Sequence, residues 1–338
     1  MILIGIVIGY ESNRVIPITK LTANTYNLEP KNFLKFLSNW DGAIYLNIAK
    51  NGYNHNYLVN FFPFYPLIVS LVHKVISSVL DSGLIVAWTF MVGTFYYYIK
   101  IVKEYFQLKK TDDIVKATLL LALYPTAIFF IATFSESLFA FLALGAIYYA
   151  LKNNYRLAGI LVALATITRV NGVFVLILVA SILFFKHKQK ISRIIETGII
   201  GSMGLLIYMG ALYIRFKNPF EFIKTQQNHG WLQHSLFTQI THISTLNALF
   251  LIPVIVSVFY WWKKEKSFSI YSFLYLLIPI IGGQFGGFAR YALMAFPVPL
   301  MLFDYSRKKQ LAYIIIVVLF SMSWVYLMIQ YSAGYIGS

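Results

Sequence analysis

Few residues in this chain are equipped for chemistry. Trp40-Asp41-Gly42 sets a carboxylate inside the longest polar segment, residues 10–60, just ahead of the aromatic and proline-rich run Phe61-Phe62-Pro63-Phe64-Tyr65-Pro66. A charge kept beside apolar sequence is expensive and is usually retained for a task, and a carboxylate so placed can take the proton of a hydroxyl. Arg169, in Thr168-Arg169-Val170-Asn171-Gly172, and Arg290, after Gly282, Gly283, Gly286 and Gly287, carry planar forks that match phosphate oxygens. Glu136, between Ser135 and Ser137, can bond hydroxyl groups. In residues 215–243, Trp231 stands among Gln226, Gln227, Asn228, His229, Gln233 and His234, an aromatic ring flanked by amides of the kind that holds a sugar.

Each feature has a structural alternative. Asp41 suits a helix N-cap after Asn39, and Glu136 suits a cap for the apolar run that begins at Ser137. Arg169 near a helix end can snorkel, the glycines before Arg290 suit close backbone packing, and Trp231 suits an interfacial aromatic belt. His229, His234 and His242 do not share a helical face, so no metal site is assigned. A divalent cation beside Asp41 stays open, since hard cations take oxygen ligands.

The elements that must position these residues are membrane helices. The chain has 338 residues, 59% hydrophobic and only 12% charged, where soluble domains carry about 25% charge. It has no cysteine, which excludes disulfides, thiolate nucleophiles and cysteine-ligated metals. Apolar runs fall at 83–102, 117–134, 137–151, 157–169, 173–185, 194–214, 245–262, 268–283, 291–303 and 311–331. Several are short for a hydrocarbon core of about 30 Å, which is tolerated where protein surrounds the segment. The expected fold is all-α and polytopic, with about 10–11 transmembrane helices, a long external first loop (10–82) carrying juxtamembrane helices, and a helix bundle over 83–331. The whole of 1–338 reads as one membrane domain. Met1–Gly9 reads as the outer half of a first span that begins upstream, and as a poor signal peptide.

The net charge of +16 does not indicate nucleic acid, because the charges lie in short clusters between apolar runs rather than along one basic face. Seventeen of the 28 basic residues fall in five short loops, 100–116, 152–156, 186–193, 263–266 and 307–309. The positive-inside rule makes these loops cytoplasmic. Asp41, Glu136, Arg169, residues 215–243 and Arg290 then all fall on the external face. The count requires that 61–80, with His73 and Lys74, lie at the external surface without crossing.

The ordered blocks resemble a known family. Trp40-Asp41-Gly42-Ala43-Ile44-Tyr45-Leu46-Asn47-Ile48-Ala49-Lys50-Asn51-Gly52-Tyr53 followed by Phe61–Pro66 is similar to the signature of PIG-V-type mannosyltransferases. The resemblance continues through Tyr124-Pro125-Thr126, Ser135-Glu136-Ser137, Thr168–Gly172, Asn218-Pro219-Phe220-Glu221-Phe222 with Gln226 and Trp231, and Arg290-Tyr291. The chain departs from the family pattern at its short N-terminus and at Val170. The resemblance implies a GT-C-type bundle in the plasma membrane of a prokaryote or the ER membrane of a eukaryote. It implies a polyprenyl- or dolichyl-phosphate sugar as donor, and an inverting transfer of mannose on the non-cytoplasmic face to a glycolipid, glycan or protein hydroxyl. On that basis Asp41 is the catalytic base and Arg169 and Arg290 hold the donor phosphate. Trp40, Tyr45, Tyr65, Glu136, Asn171, Gln226, His229 and Trp231 contact substrate, with no resident cofactor. A flippase for lipid-linked sugars and a noncatalytic subunit of a glycosylation complex are the competing functions; no internal repeat supports the first.

Overall fold

A computed structural model describes residues 33–228, 245–282 and 287–333, together with Ile4, Ile6, Val7, Ile8 and Glu11. His229 and Trp231 lie outside the described residues, as does most of Met1–Gly9. The described chain is helical throughout, with no strand. The helices are α1 (Asp41–Asn51), α2 (Phe64–His73), α3 (Val79–Phe106), α4 (Thr111–Ala122), α5 (Glu136–Leu151), α6 (Tyr155–Thr168), α7 (Gly172–Ser181), α8 (Ile191–Phe216), α9 (Glu221–Asn228), α10 (Thr245–Trp262), α11 (Lys266–Gly282), α12 (Phe288–Ala292), α13 (Pro297–Ser306) and α14 (Gln310–Ser332). The all-α, multi-pass character expected from hydropathy holds. α3, α8 and α14, with 28, 26 and 23 residues, are long and apolar enough to cross a membrane, and six shorter apolar helices accompany them. Their outward faces are greasy: Ile195, Ile199 and Leu206 on α8, and Ile315, Leu319 and Met322 on α14, are exposed, as suits lipid contact. At 1.5 Å per residue, the ten residues of α2 reach only about half of a hydrocarbon core.

Two expected spans are not continuous helices. Residues 117–134 break after Ala122: a 3-10 turn at Ala127–Phe130 follows, and the chain stays irregular to Ser135. Pro125 explains the break, because it lacks an N–H and disfavours helical backbone at Tyr124. The segment is nonetheless fully buried from Tyr124 to Ser135, so its polar backbone must be satisfied by protein. Residues 291–303 likewise divide into α12 and α13, with Pro297 opening the second helix.

The chain forms two compact units. The first comprises residues up to Asn54, Tyr65–Leu138 and Leu302 onward. Its centre is the buried 123–135 segment. The Thr133 N–H donates to the Leu37 carbonyl at 2.9 Å, and the Trp88 indole N–H donates to Ile131 O at 2.9 Å. The Asn39 amide donates to the Tyr331 carbonyl at 3.1 Å and to Ser332 O at 3.4 Å. These are carbonyls of the last turn of α14, where the helix runs out of its own N–H donors.

The second unit comprises His55–Phe64 and Phe139–Met301. α6 and α8 pack closely in it because small residues line the seam. A Cβ added at Gly204 would run into the Ala163 carbonyl and the Thr166 hydroxyl, and one at Gly201 would meet Leu176 and Val162. The Thr166 hydroxyl donates across the seam to Gly201 O at 3.2 Å. Near His55–Phe64, Phe62 packs on Tyr208 and Phe222 at ring separations of 4.7 and 5.5 Å, which makes Phe62 a core residue.

Gly204→Ala should therefore lower stability by about 1–3 kcal/mol through overpacking, whereas Gly210→Ala on the same helix, with nothing within 4 Å of the added methyl, should be neutral or gain up to about 1 kcal/mol. Thermal unfolding of the two variants in detergent checks this contrast; equal shifts would remove the close seam.

Candidate active site

Asp41 is the first residue of α1, with Trp40 as N-cap and no side-chain capping bond. The capping role considered for Asp41 is thus not the one it takes, although a carboxylate in the first turn does oppose the positive end of the helix. The helix start is unusual. Trp40 holds φ 56° and ψ −127°, backbone that favours glycine, and the Gly42 N–H closes the turn onto Asn39 O at 3.1 Å. A bulky residue in such backbone costs about 1–3 kcal/mol and persists only where its surroundings hold it.

Those surroundings are visible on either side. A Cβ at Gly42 would lie 2.7 Å from the Thr133 hydroxyl and 3.2 Å from the Phe134 ring. A Cβ at Gly83 on α3 would strike Leu46 of α1 and lie 3.1 Å from the Thr133 methyl. α1 is therefore wedged between α3 and the 123–135 segment, with Thr133 touching both glycines.

One turn beyond Asp41, on the same helix face, the Tyr45 hydroxyl bonds the Ser135 hydroxyl at 3.0 Å in a buried pair. The Tyr45 ring meets Tyr65 edge-on at 5.1 Å. Glu136 opens α5 and is 1% exposed. As the first helical residue it does not stand at the N-cap, so the cap considered for it is also not its position. Burial first, then Tyr45, the Glu136 carboxylate and Tyr331, push the Tyr65 phenol well above its ordinary pKa, so Tyr65 keeps its proton and remains a donor. Trp40, Asp41, Tyr45, Tyr65 and Glu136 are thus gathered in the first unit by one turn, one hydroxyl pair and one ring contact. Ser135 and Thr133, which secure them, were not anticipated as members; Ser135 stood inside a recognised block, whereas Thr133 carried no signal.

The second unit holds the cations. Arg169 follows the last residue of α6 with extended backbone, and the Gly172 N–H closes the turn onto Arg169 O at 2.9 Å. A Cβ at Gly172 would lie 2.5 Å from the Thr166 backbone nitrogen, so only glycine fits. Asn171, 9% exposed, precedes α7 without a side-chain capping bond. The Arg169 guanidinium lies over the Tyr291 ring at 5.7 Å, next to Arg290, which is 7% exposed. Asn247 anchors α12 by accepting from the Ala289 N–H at 2.9 Å; no sequence pattern pointed to it. Arg169 and Arg290 are thereby brought to one short helix. Gln226 is half-buried on α9, beside Thr225, whose hydroxyl bonds the Asn60 amide oxygen at 2.8 Å. Among the described residues, no three His, Asp or Glu side chains come together as metal ligands.

The profile of the family described as mannosyltransferase (PIG-V) matches residues 19–275. Over 122 residues the chain is 30% identical to the GPI mannosyltransferase 2 of Drosophila melanogaster, a match covering 34% of this chain and 27% of that protein. The oligosaccharyltransferase of Archaeoglobus fulgidus, solved with a tethered acceptor peptide, aligns with TM-score 0.49 at 12% identity, over 100% of this chain and 55% of its own. The chain thus spans about a quarter of the length of the first protein and about half of the second.

Tyr45→Phe removes the bond to Ser135 and should cost about 1–2 kcal/mol. In the Ser135→Ala background the same change should cost much less. A double-mutant cycle on unfolding free energy reads the difference, and additive losses would show that the two hydroxyls are not partners.

Proposed function

The chain belongs to the mannosyltransferase (PIG-V) family, and from that premise we propose that it is an inverting glycosyltransferase. It moves a hexose, mannose by family, from a polyprenyl- or dolichyl-phosphate donor to a hydroxyl of a glycolipid, glycan or protein at the external membrane face. The observation that carries this reading is the seating of Asp41. Its carboxylate opens a helix whose first turn is held by Thr133 and Phe134, with Tyr45 tied to Ser135 one turn on. A base must be held within hydrogen-bond reach of the proton it takes, and a wedged helix provides that fixity.

The chemistry asks little more. Asp41 accepts the proton of the acceptor hydroxyl as that oxygen forms a bond to the anomeric carbon. The bond between that carbon and the phosphate oxygen breaks, and its electron pair leaves on the lipid phosphate. A phosphate monoester anion is a competent leaving group, so no strong general acid is required. Arg169 and Arg290 offset the charge that develops on it. Glu136 is suited to holding sugar hydroxyls, while Tyr65, fully buried, donates to Gly83 O at 3.4 Å and braces the Tyr45 ring. No cofactor takes part in these steps. The external location rests on the lysine-rich loops, which belong on the cytoplasmic side.

With radiolabelled polyprenyl-phosphate mannose and a panel of acceptors, Asp41→Asn should lower transfer by at least about 10²–10⁴-fold while the protein elutes and unfolds like wild type. Full transfer by that variant would end the assignment of the base, and lipid translocation without transfer by the wild type would favour a flippase. For the face, single cysteines at Tyr53 and Lys152 in this cysteine-free chain should react with an impermeant thiol reagent from opposite sides, residue 53 from outside. The reverse pattern would move the site to the cytoplasm.

A further inference from the structure

We infer that Asn39 is a positioning residue for the transfer, whose side-chain amide fastens the turn ahead of α1 to the last turn of α14 and so fixes where the Asp41 carboxylate stands. This rests on the reading of Asp41 as the base and adds the contact that keeps it in register.

The turn into α1 is strained and needs an outside hold. Trp40 takes φ 56°, and α1 starts without a side-chain capping bond; a bulky residue keeps such backbone only where its neighbours enforce it. Asn39, the residue before it, is bonded in two directions. Its carbonyl accepts from the Gly42 N–H at 3.1 Å, which ties it to the first turn of α1. Its amide nitrogen donates to Tyr331 O at 3.1 Å and to Ser332 O at 3.4 Å. Two residues earlier, the Leu37 carbonyl accepts from the Tyr331 hydroxyl at 3.3 Å. Tyr331 therefore grips this turn twice, once through its own carbonyl and once through its phenol. It is fully buried against Phe129 and Phe134, at ring separations of 5.9 and 6.1 Å. All of these groups belong to the first unit.

The residue type fits this task. Two neighbouring carbonyls take two N–H donors from one short side chain, and Asn carries both on a single nitrogen. The amide has a fixed sense, since the reverse orientation would set an oxygen against two carbonyl oxygens. Asn39 is 3% exposed, so water does not readily stand in for a lost bond. The body of α1 has a separate hold, because Gly42 is wedged against Thr133 and Phe134. Removing the amide therefore frees the strained turn and the first residue of α1 while the helix stays seated. A base tolerates little such freedom, because a misplacement near 1 Å can cost about 10²-fold in rate. The effect thus falls on the chemical step rather than on substrate binding.

The test uses the full-length protein in detergent, with radiolabelled polyprenyl-phosphate mannose and whichever acceptor of the panel the wild type glycosylates fastest. Asn39→Ala should lower kcat about 10- to 10²-fold, with KM for the donor within about threefold of wild type. In an Asp41→Asn background the same change should add no further loss, since Asn39 acts through Asp41. Hydrogen exchange followed by mass spectrometry gives a readout apart from activity: the peptide covering residues 36–46 should lose protection in Asn39→Ala, while that covering α8 keeps it. Where Asn39→Ala does not fold, Asn39→Ser, which keeps one donor, should show the same pattern with a smaller loss of kcat. Wild-type kcat, a loss carried by KM alone, losses that multiply with Asp41→Asn, or unchanged exchange at 36–46 would each overturn the inference. The parent reading fails differently. No sugar transfer by the wild type, or full transfer by Asp41→Asn, would remove the base and the positioning role together. Transfer that is lost in Asp41→Asn but intact in Asn39→Ala would remove the role of Asn39 alone.

Discussion

The contact on which the rest depends is the approach of α1 to the buried 123–135 segment. A Cβ at Gly42 would lie 2.7 Å from the Thr133 hydroxyl, and one at Gly83 would strike the end of Leu46 and crowd the Thr133 methyl at 3.1 Å. That contact seats the helix carrying Asp41 and Tyr45, and it helps to hold the strained turn at Trp40. A larger residue at Gly42 would have to displace Thr133 and Phe134 or shift α1 itself. Neither moves cheaply, since protein interiors are packed as densely as organic crystals. Two backbone groups of the irregular segment are met by protein: the Thr133 N–H by Leu37 O, and the Ile131 carbonyl by the Trp88 indole. Non-helical backbone in so apolar a chain is tolerated only on those terms, and such backbone is where a membrane protein can present groups that a regular helix would spend on itself.

The candidate residues fall in both units. The first contains Asp41, Glu136 and the protonated Tyr65. The second contains the two arginines, gathered at α12 by a glycine turn, an asparagine anchor and a tyrosine ring. Each unit uses the same economy: small residues permit close helix approach, and the polar groups at helix ends are aimed by packing rather than by long side chains. The aromatic run at Phe61–Pro66 supplies packing residues to both units. Phe62 is core against Tyr208 and Phe222, while Tyr65, in the first unit, is buried against Tyr45.

Much of this was legible in the sequence. Hydropathy revealed the all-α membrane class and the long helices α3, α8 and α14, whereas the surface placement of 61–80 came from the count of basic loops. Asp41, Glu136, Arg169 and Arg290 stood out because charges are costly in so apolar a chain, whereas Trp40 and Tyr45 entered through the family motif. The breaks within 117–134 and 291–303 were missed, since mean hydropathy outweighed the signals of Pro125 and Pro297. Thr133 and Asn247 were invisible for a different reason. Their importance comes from what lies next to them in space, at Gly42 and Gly83 in one case and at Ala289 in the other. No period or motif along the chain encodes those contacts. The capping alternatives for Asp41 and Glu136 also required coordinates, because a shift of one residue separates a cap from a first-turn carboxylate.

Of the carboxylates in the first unit, Asp41 and Glu136 are the two assigned to the candidate site, yet a direct displacement of a phosphate leaving group would need only one of them. A double displacement would need the second as a nucleophile bonded to the sugar, as in retaining hydrolases. The anomeric configuration of the product separates these outcomes. With a polyprenyl-phosphate mannose of defined anomer and a soluble acceptor, nuclear magnetic resonance of the first-formed glycoside should show the opposite configuration at the anomeric carbon. A product that keeps the donor's configuration would contradict the account of Asp41 as the lone base of a direct transfer.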